Sequence, residues 1–148
     1  MGRNIDDKLS YQIGMVAHLL QNQYNDQLAA HDLTVAQSRV LYMLVEYGDQ
    51  SQAELQQHLY IKGSTMNGII DSLLNKDLVS KTDSDVDKRA KIISITEKGR
   101  LLDQNLWDDL DKKEMEYIEG FSKEEMALLM TWLKKIKANL LREQEEAK

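Results

Sequence analysis

Cysteine and proline are both absent from this 148-residue sequence. Without cysteine there is no disulfide, no thiolate nucleophile, no thiol redox sensor and no Cys-based zinc site. Average proline usage of ~5% would place about seven in a chain of this length. Proline breaks helix interiors and is tolerated in loops, so its absence predicts long helices joined by little loop. No stretch approaches the ~18 consecutive apolar residues of a spanning helix. The opening Met-Gly-Arg-Asn-Ile-Asp-Asp-Lys has no apolar h-region of a signal peptide. Gly2 begins a myristoylation pattern, but Asp6 stands where that pattern needs Ser or Thr. The expectation is a soluble, cytoplasmic chain with no membrane partner.

The length suits a single domain with a core of its own. A net charge of −6 reads at first against nucleic acid, but the charge is unevenly spread. Residues 1–75 carry 4 Lys/Arg and 8 Asp/Glu, residues 76–100 carry 7 and 5, and residues 101–148 carry 8 and 12. Only the middle segment is basic, through Lys76, Lys81, Lys88, Arg89, Lys91, Lys98 and Arg100. With a Debye length of about 8 Å at physiological salt, a phosphate responds to local charge rather than to the molecular total.

Apolar residues recur at three- and four-residue steps over 5–30 (Leu9, Ile13, Val16, Leu19, Leu20, Leu28), which predicts an amphipathic helix. Thr34-Val-Ala-Gln37 has the form of a capping box and opens a second helix that Gly48 is placed to end. Ser51-Gln-Ala-Glu54 is a second box before a short helix, and residues 64–76 form another around Met66, Ile69, Ile70, Leu73 and Leu74. The period then changes. Residues 78–82 and 91–96 read as two strands around a polar hairpin tip, and they must pack on the preceding helices, since two short strands are not stable alone. Thr96 is a candidate N-cap for a long helix ending near Gly120, and Ser122-Lys-Glu-Glu125 is a third box before a last helix. The charged tail 142–148 is expected to fray.

Helix, short helix, turn, helix and β-hairpin is the order of a winged helix-turn-helix. Here the sequence resembles the MarR family of transcriptional regulators over nearly its whole length. The resemblance is carried by Leu33-Thr34-x-x-Gln37-x-x-x-Leu41-x-x-Leu44, Ser51-Gln-Ala-Glu-Leu55, Ser64-Thr65-Met66-x-x-x-Ile70-Asp71-x-Leu73, Leu78-Val79, Asp87-Lys-Arg89-Ala90-Lys91 and Ile95-Thr96-Glu-Lys-Gly99-Arg100. The expected fold is mainly α with a small β-hairpin wing: one MarR-type domain, 1–148, with a winged helix-turn-helix at 33–100 and dimerisation helices at 1–32 and 101–148. The sequence departs from the family pattern at Asp77, where a glycine usually ends the recognition helix, at Gly68, where many members place arginine, and at Lys62, where many place a capping Asp or Ser.

Ser64, Thr65 and Asn67 are polar and near the start of the expected recognition helix, with Lys62 just before it. There side chains reach base edges and the helix end faces a phosphate. Ser64 or Thr65 could equally be an N-cap, whereas Asn67 is mildly unfavourable mid-helix and so suits a solvent- or DNA-facing role. In the wing, Arg89 is suited to a narrow minor groove, Lys88 and Lys91 to phosphates, and Asp87 to support Arg89 by paired hydrogen bonds from one side of a strand, as the resemblance implies. A structural Asp87–Arg89 salt bridge is the other reading.

The resemblance also implies a two-fold homodimer through the terminal helices, reading a pseudo-palindromic duplex at half-sites roughly 34–36 Å apart. It implies a small-molecule effector pocket as well, with Met15, His18 and Met43 as candidates. His18, His31 and His58 are isolated and no phosphate-binding glycine loop occurs, so no catalytic residue, metal or cofactor is expected. The preferred function is a ligand-responsive repressor, and the alternative is a non-enzymatic winged-helix interaction or assembly module.

Overall fold

The computed structural model describes residues 2–87 and 89–147. It divides into two units, residues 1–107 and 108–148. In the first, a 3-10 turn (Ile5–Asp7), capped by Asn4 accepting from the Asp6 amide, precedes α1 (Leu9–Ala29). The first helix thus starts later than its apolar period suggested, because Asn4 caps the turn in front of it.

The box at Thr34 is complete: its hydroxyl accepts from the Gln37 amide at 3.2 Å, and the Gln37 side chain accepts from the Thr34 amide at 3.2 Å. It opens α2 (Val35–Tyr47), which ends at Gly48 with φ 80°. Next come β1 (Gln50–Ser51), α3 (Gln52–Leu59) and α4 (Gly63–Asn75). Only half of the expected box at Ser51 forms: its Oγ accepts from the Glu54 amide at 3.1 Å. The wing strands are β2 (Val79–Asp83) and β3 (Lys91–Ile95). They pair antiparallel, and β1 adds a third strand on the far side of β3 through Gln50 opposite Ile93 and Ser51 opposite Ile92. Two residues are too few to show alternation, so β1 left no mark in the sequence pattern.

Three elements end by one device. Asp32, Tyr60 and Asp77 have φ of 55°, 56° and 58°. In each case the next amide reaches back five residues at 3.0 Å: Leu33 to the Leu28 carbonyl, Ile61 to Gln56 and Leu78 to Leu73. This is the Schellman closure, which buries the apolar residue after the left-handed one and usually places glycine in that conformation. Leu33 and Leu78 are buried and Ile61 packs against the core. At Asp77 the closure stands where the departure from glycine was noted.

The core of this unit gathers Leu28, Leu41, Leu44, Leu55, Met66, Ile70, Leu73 and Ile93, all fully or almost fully buried. Helix α5 (Glu97–Tyr117) is anchored at its start. The Thr96 hydroxyl accepts from the Gly99 amide at 3.0 Å and donates to the Asp77 carbonyl at 2.7 Å. Along α1, by contrast, the expected stripe stays in solvent: Leu9 is 62% exposed and Leu19 56%, and Leu28 is the only buried residue of the helix.

In the second unit Gly120 adopts φ 89° and the complete box at Ser122 opens α6 (Lys123–Glu146). The tail expected to fray is helical to Glu146. No residue of α6 is buried, and Trp132, Leu133 and Leu140 lie exposed. Among the described residues no helix is long and apolar enough to cross a membrane.

Candidate nucleic-acid interface

Where α4 begins decides what its polar side chains can do. The chain leaves α3 through left-handed Tyr60, and Lys62 becomes the N-cap of α4, with extended backbone and no side-chain capping bond. Gly63, Ser64 and Thr65 are then the first three helical residues, ahead of the first helical bond from the Met66 amide to the Lys62 carbonyl at 2.9 Å. Neither Ser64 nor Thr65 caps the helix, so the capping alternative is set aside. Met66, Ile69, Ile70 and Leu73 face the core, while Lys62, Ser64, Thr65, Asn67 and Gly68 are exposed. The exposed Asn67 has a partner the sequence did not suggest: Gln52, the first residue of α3, donates Nε2–H to Asn67 Oδ1.

The wing tip is tied internally. Ser84 Oγ accepts from the amides of Val86 and Asp87, each at 3.3 Å, and the Ala90 amide donates to the Asp87 carbonyl at 2.9 Å. Asp87 lies in this loop rather than on a strand, and its Oδ1 accepts from the backbone amide of Arg89 at 3.0 Å. A carboxylate so close in sequence meets the amide two residues on before it meets a long side chain. The carboxylate therefore shapes the loop through the Arg89 backbone, in place of the expected bonds to the guanidinium. Among the described residues Arg89 and Lys81 enter no ion pair. Lys91 pairs with Asp83, its neighbour across the β2–β3 ladder. Lys88, an expected phosphate contact, lies outside the described residues.

The basic segment thus divides by task. Lys76 donates to the Asp32 carbonyl and to Gln37 Oε1, and Lys98 Nζ donates to the Lys76 carbonyl at 3.0 Å, so both serve the fold. Arg89, Lys81 and Lys91 instead line a crevice of about 360 Å³ together with Gln52 and Asn67. Gln52 and Lys81 were not among the expected site residues. Gln52 looked like the interior of a capping box, and Lys81, on the first expected wing strand, had no role beyond its share in the basic segment.

Met15 and His18 are exposed on α1, where His18 Nε2 lies 3.4 Å from Asn22 Nδ2, whereas Met43 packs partly against the core from α2. None of the three lines the crevice at the wing. Tyr42 stacks on Trp107 with ring centres 5.3 Å apart and planes 7° from parallel. Burial raises the Tyr42 pKa, helped by Glu46, Tyr47 and Asp103. Burial raises Asp103 too, against an opposing pull from Arg100. Among the described residues no three His, Asp or Glu side chains could together hold a metal ion.

Residues 31–90, from the end of α1 through the wing tip, match the model of the MarR family. Those residues are a MarR-family winged helix. The MarR family comprises DNA-binding transcriptional regulators. Beyond those residues the chain shares its fold with solved structures. A MarR protein of Peptoclostridium difficile superimposes with a TM-score of 0.87 at 18% identity, covering 100% of this chain and 97% of its own. A mutant of Escherichia coli MarR complexed with operator DNA gives 0.77 at 24% identity, covering 86% and 92%. Bordetella bronchiseptica BpsR, whose DNA binding is regulated by 6-hydroxynicotinic acid, gives 0.81 at 18% identity, covering 93% and 98%. At these identities the likeness shows a shared fold.

Proposed function

We propose that this chain is a non-enzymatic, cytoplasmic, sequence-specific regulator of transcription that binds double-stranded DNA as a homodimer and represses by occupying a pseudo-palindromic operator. The observation that carries the reading is the exposed polar start of α4 beside a crevice lined by Arg89, Lys81 and Lys91. Ser64, Thr65 and Asn67 face base edges, Lys62 and Lys91 face phosphates, and Arg89 enters the adjacent minor groove. Lys88 joins them by its place in the wing sequence, and Asp87 acts through the loop that presents Arg89. The E. coli relative with operator DNA supports the same use of the fold.

Dimerisation is supported by the apolar stripes that each unit leaves in solvent, on α1 in the first and on α6 in the second. Such contiguous apolar surface is uncommon on a soluble monomer. The B. bronchiseptica relative supports regulation by a small molecule. For this chain we place effector contacts at Met15 and His18, with Met43 supporting them from the core side. An effector that prefers one spacing of the two reading heads lowers DNA affinity by its differential affinity for the two states.

The test is selection of bound duplexes from a genomic pool, followed by binding across a salt series. Each phosphate neutralised steepens the log–log slope by about 0.9. Arg89→Ala is expected to weaken binding and flatten that slope. Absence of duplex binding at about 50 mM salt, or indifference to Arg89→Ala, overturns the reading.

A further inference from the structure

The Asn67 amide is engaged at one end. Gln52 donates to its Oδ1, and Gln52 is itself firmly placed. The preceding residue, Ser51, pairs with Ile92 in the sheet and caps α3 by accepting the Glu54 amide at 3.1 Å. Half-buried Gln52 and exposed Asn67 lie in the same crevice as Arg89, Lys81 and Lys91. An asparagine reads adenine by using both ends of its amide, accepting from N6–H and donating to N7. With one lone pair of Oδ1 taken by Gln52, the Asn67 amide keeps both Nδ2–H donors but a single free lone pair, so donors dominate what it offers the duplex.

We propose that Gln52 is a specificity-determining positioning residue that turns Asn67 from a two-ended adenine reader into a donor. A donor selects the base edge richest in acceptors, which in the major groove is guanine with O6 and N7. The proposal rests on the DNA-binding reading above. Two substitutions change the preference in different directions. Gln52→Ala frees Oδ1 and restores the two-ended pairing with adenine. Gln52→Glu replaces the donor by an acceptor, so the Asn67 amide turns its Nδ2 toward position 52 and its Oδ1 outward. The outward acceptor then selects donor-bearing edges, adenine or cytosine.

The experiment is selection from a pool of random duplexes with the full-length chain, Gln52→Ala, Gln52→Glu, Asn67→Ala and the Gln52→Ala/Asn67→Ala pair, each checked for its helical circular dichroism. The parent is expected to enrich guanine over adenine by about fivefold or more at one position per half-site, the lower end for a well-made base contact. Gln52→Ala reverses that preference, Gln52→Glu moves it to adenine or cytosine, and Asn67→Ala erases it with or without Gln52→Ala. The alanine and glutamate variants are independent, so a folding failure in one leaves the other decisive. A folded Gln52 variant that keeps the parental preference, or that shifts it equally with Asn67 removed, overturns the inference and leaves the DNA-binding reading standing. A parent chain that binds no duplex overturns both.

Discussion

The Cβ that Gly99 lacks would stand 2.2 Å from the carbonyl oxygen of Leu78. The same carbonyl accepts the Thr96 amide at 3.1 Å, so the start of α5 is pressed onto the chain entering β2. Helix propensity alone would make Gly99→Ala a gain of about 1 kcal/mol. The neighbour is backbone and cannot rotate away, so we expect a loss of about 1–3 kcal/mol in urea unfolding. Gly68→Ala, where an added Cβ meets nothing within 4 Å, is the control and should gain up to about 1 kcal/mol. Equal stability of the two variants would refute the close approach.

Asp77 carries φ 58° to close α4. A β-carbon is strained there, and glycine relieves the strain while adding freedom to the unfolded chain. Asp77→Gly should therefore stabilise by up to about 1 kcal/mol, and Asp77→Val should destabilise by about 1–2 kcal/mol. Denaturant midpoints of the three proteins in any other order would count against the left-handed closure.

Buried Gln37 joins two helices. Its Nε2 donates to Ser72 Oγ on α4 at 3.1 Å, and its Oε1 accepts from the Thr34 amide and, at 3.3 Å, from Lys76 Nζ. Removing all of these with Gln37→Ala should cost about 1–3 kcal/mol. Gln37→Glu keeps the acceptors, and the Ser72 hydroxyl can turn to donate, so its loss should be smaller. Amide exchange in the alanine variant should speed up at both the start of α2 and the end of α4. Faster exchange confined to α2 would show that the link to α4 carries no stability.

Asp103 gives a pH dependence. Burial raises its pKa, so the folded chain holds the proton more tightly than the unfolded chain does. Its contribution therefore favours folding at acidic pH and is lost as pH rises through the folded pKa, when a charged carboxylate must stay half-buried. Asp103→Asn should be more stable than the parent at neutral pH, with the difference vanishing in acid below the ordinary carboxylate range. Paired thermal melts across that range check it, and a difference that grows on acidification would refute the assignment.

What was legible in the sequence is what short-range chemistry decides. The boxes at Thr34 and Ser122 close within four residues, so their letters sufficed, and the apolar spacing of α4 separated its core face from its exposed face. The segment Ile95-Thr96-Glu-Lys-Gly99 was legible as a pattern, but its glycine has a reason only once Leu78 is seen against it. Partners distant along the chain stayed hidden. Strand β1 exists because β3, some forty residues later, offers it a ladder. Asn67 is half-engaged because α3 brings Gln52 to it across the turn, and Arg89 and Lys81 share one crevice because the hairpin folds over. The helices, the wing and the polar residues available for a duplex follow from local capping and period, and so could be read from the order of residues. Which ends of those polar groups remain to be used is set by the folded chain, because hydrogen bonds between distant segments consume donors and acceptors that no local pattern records.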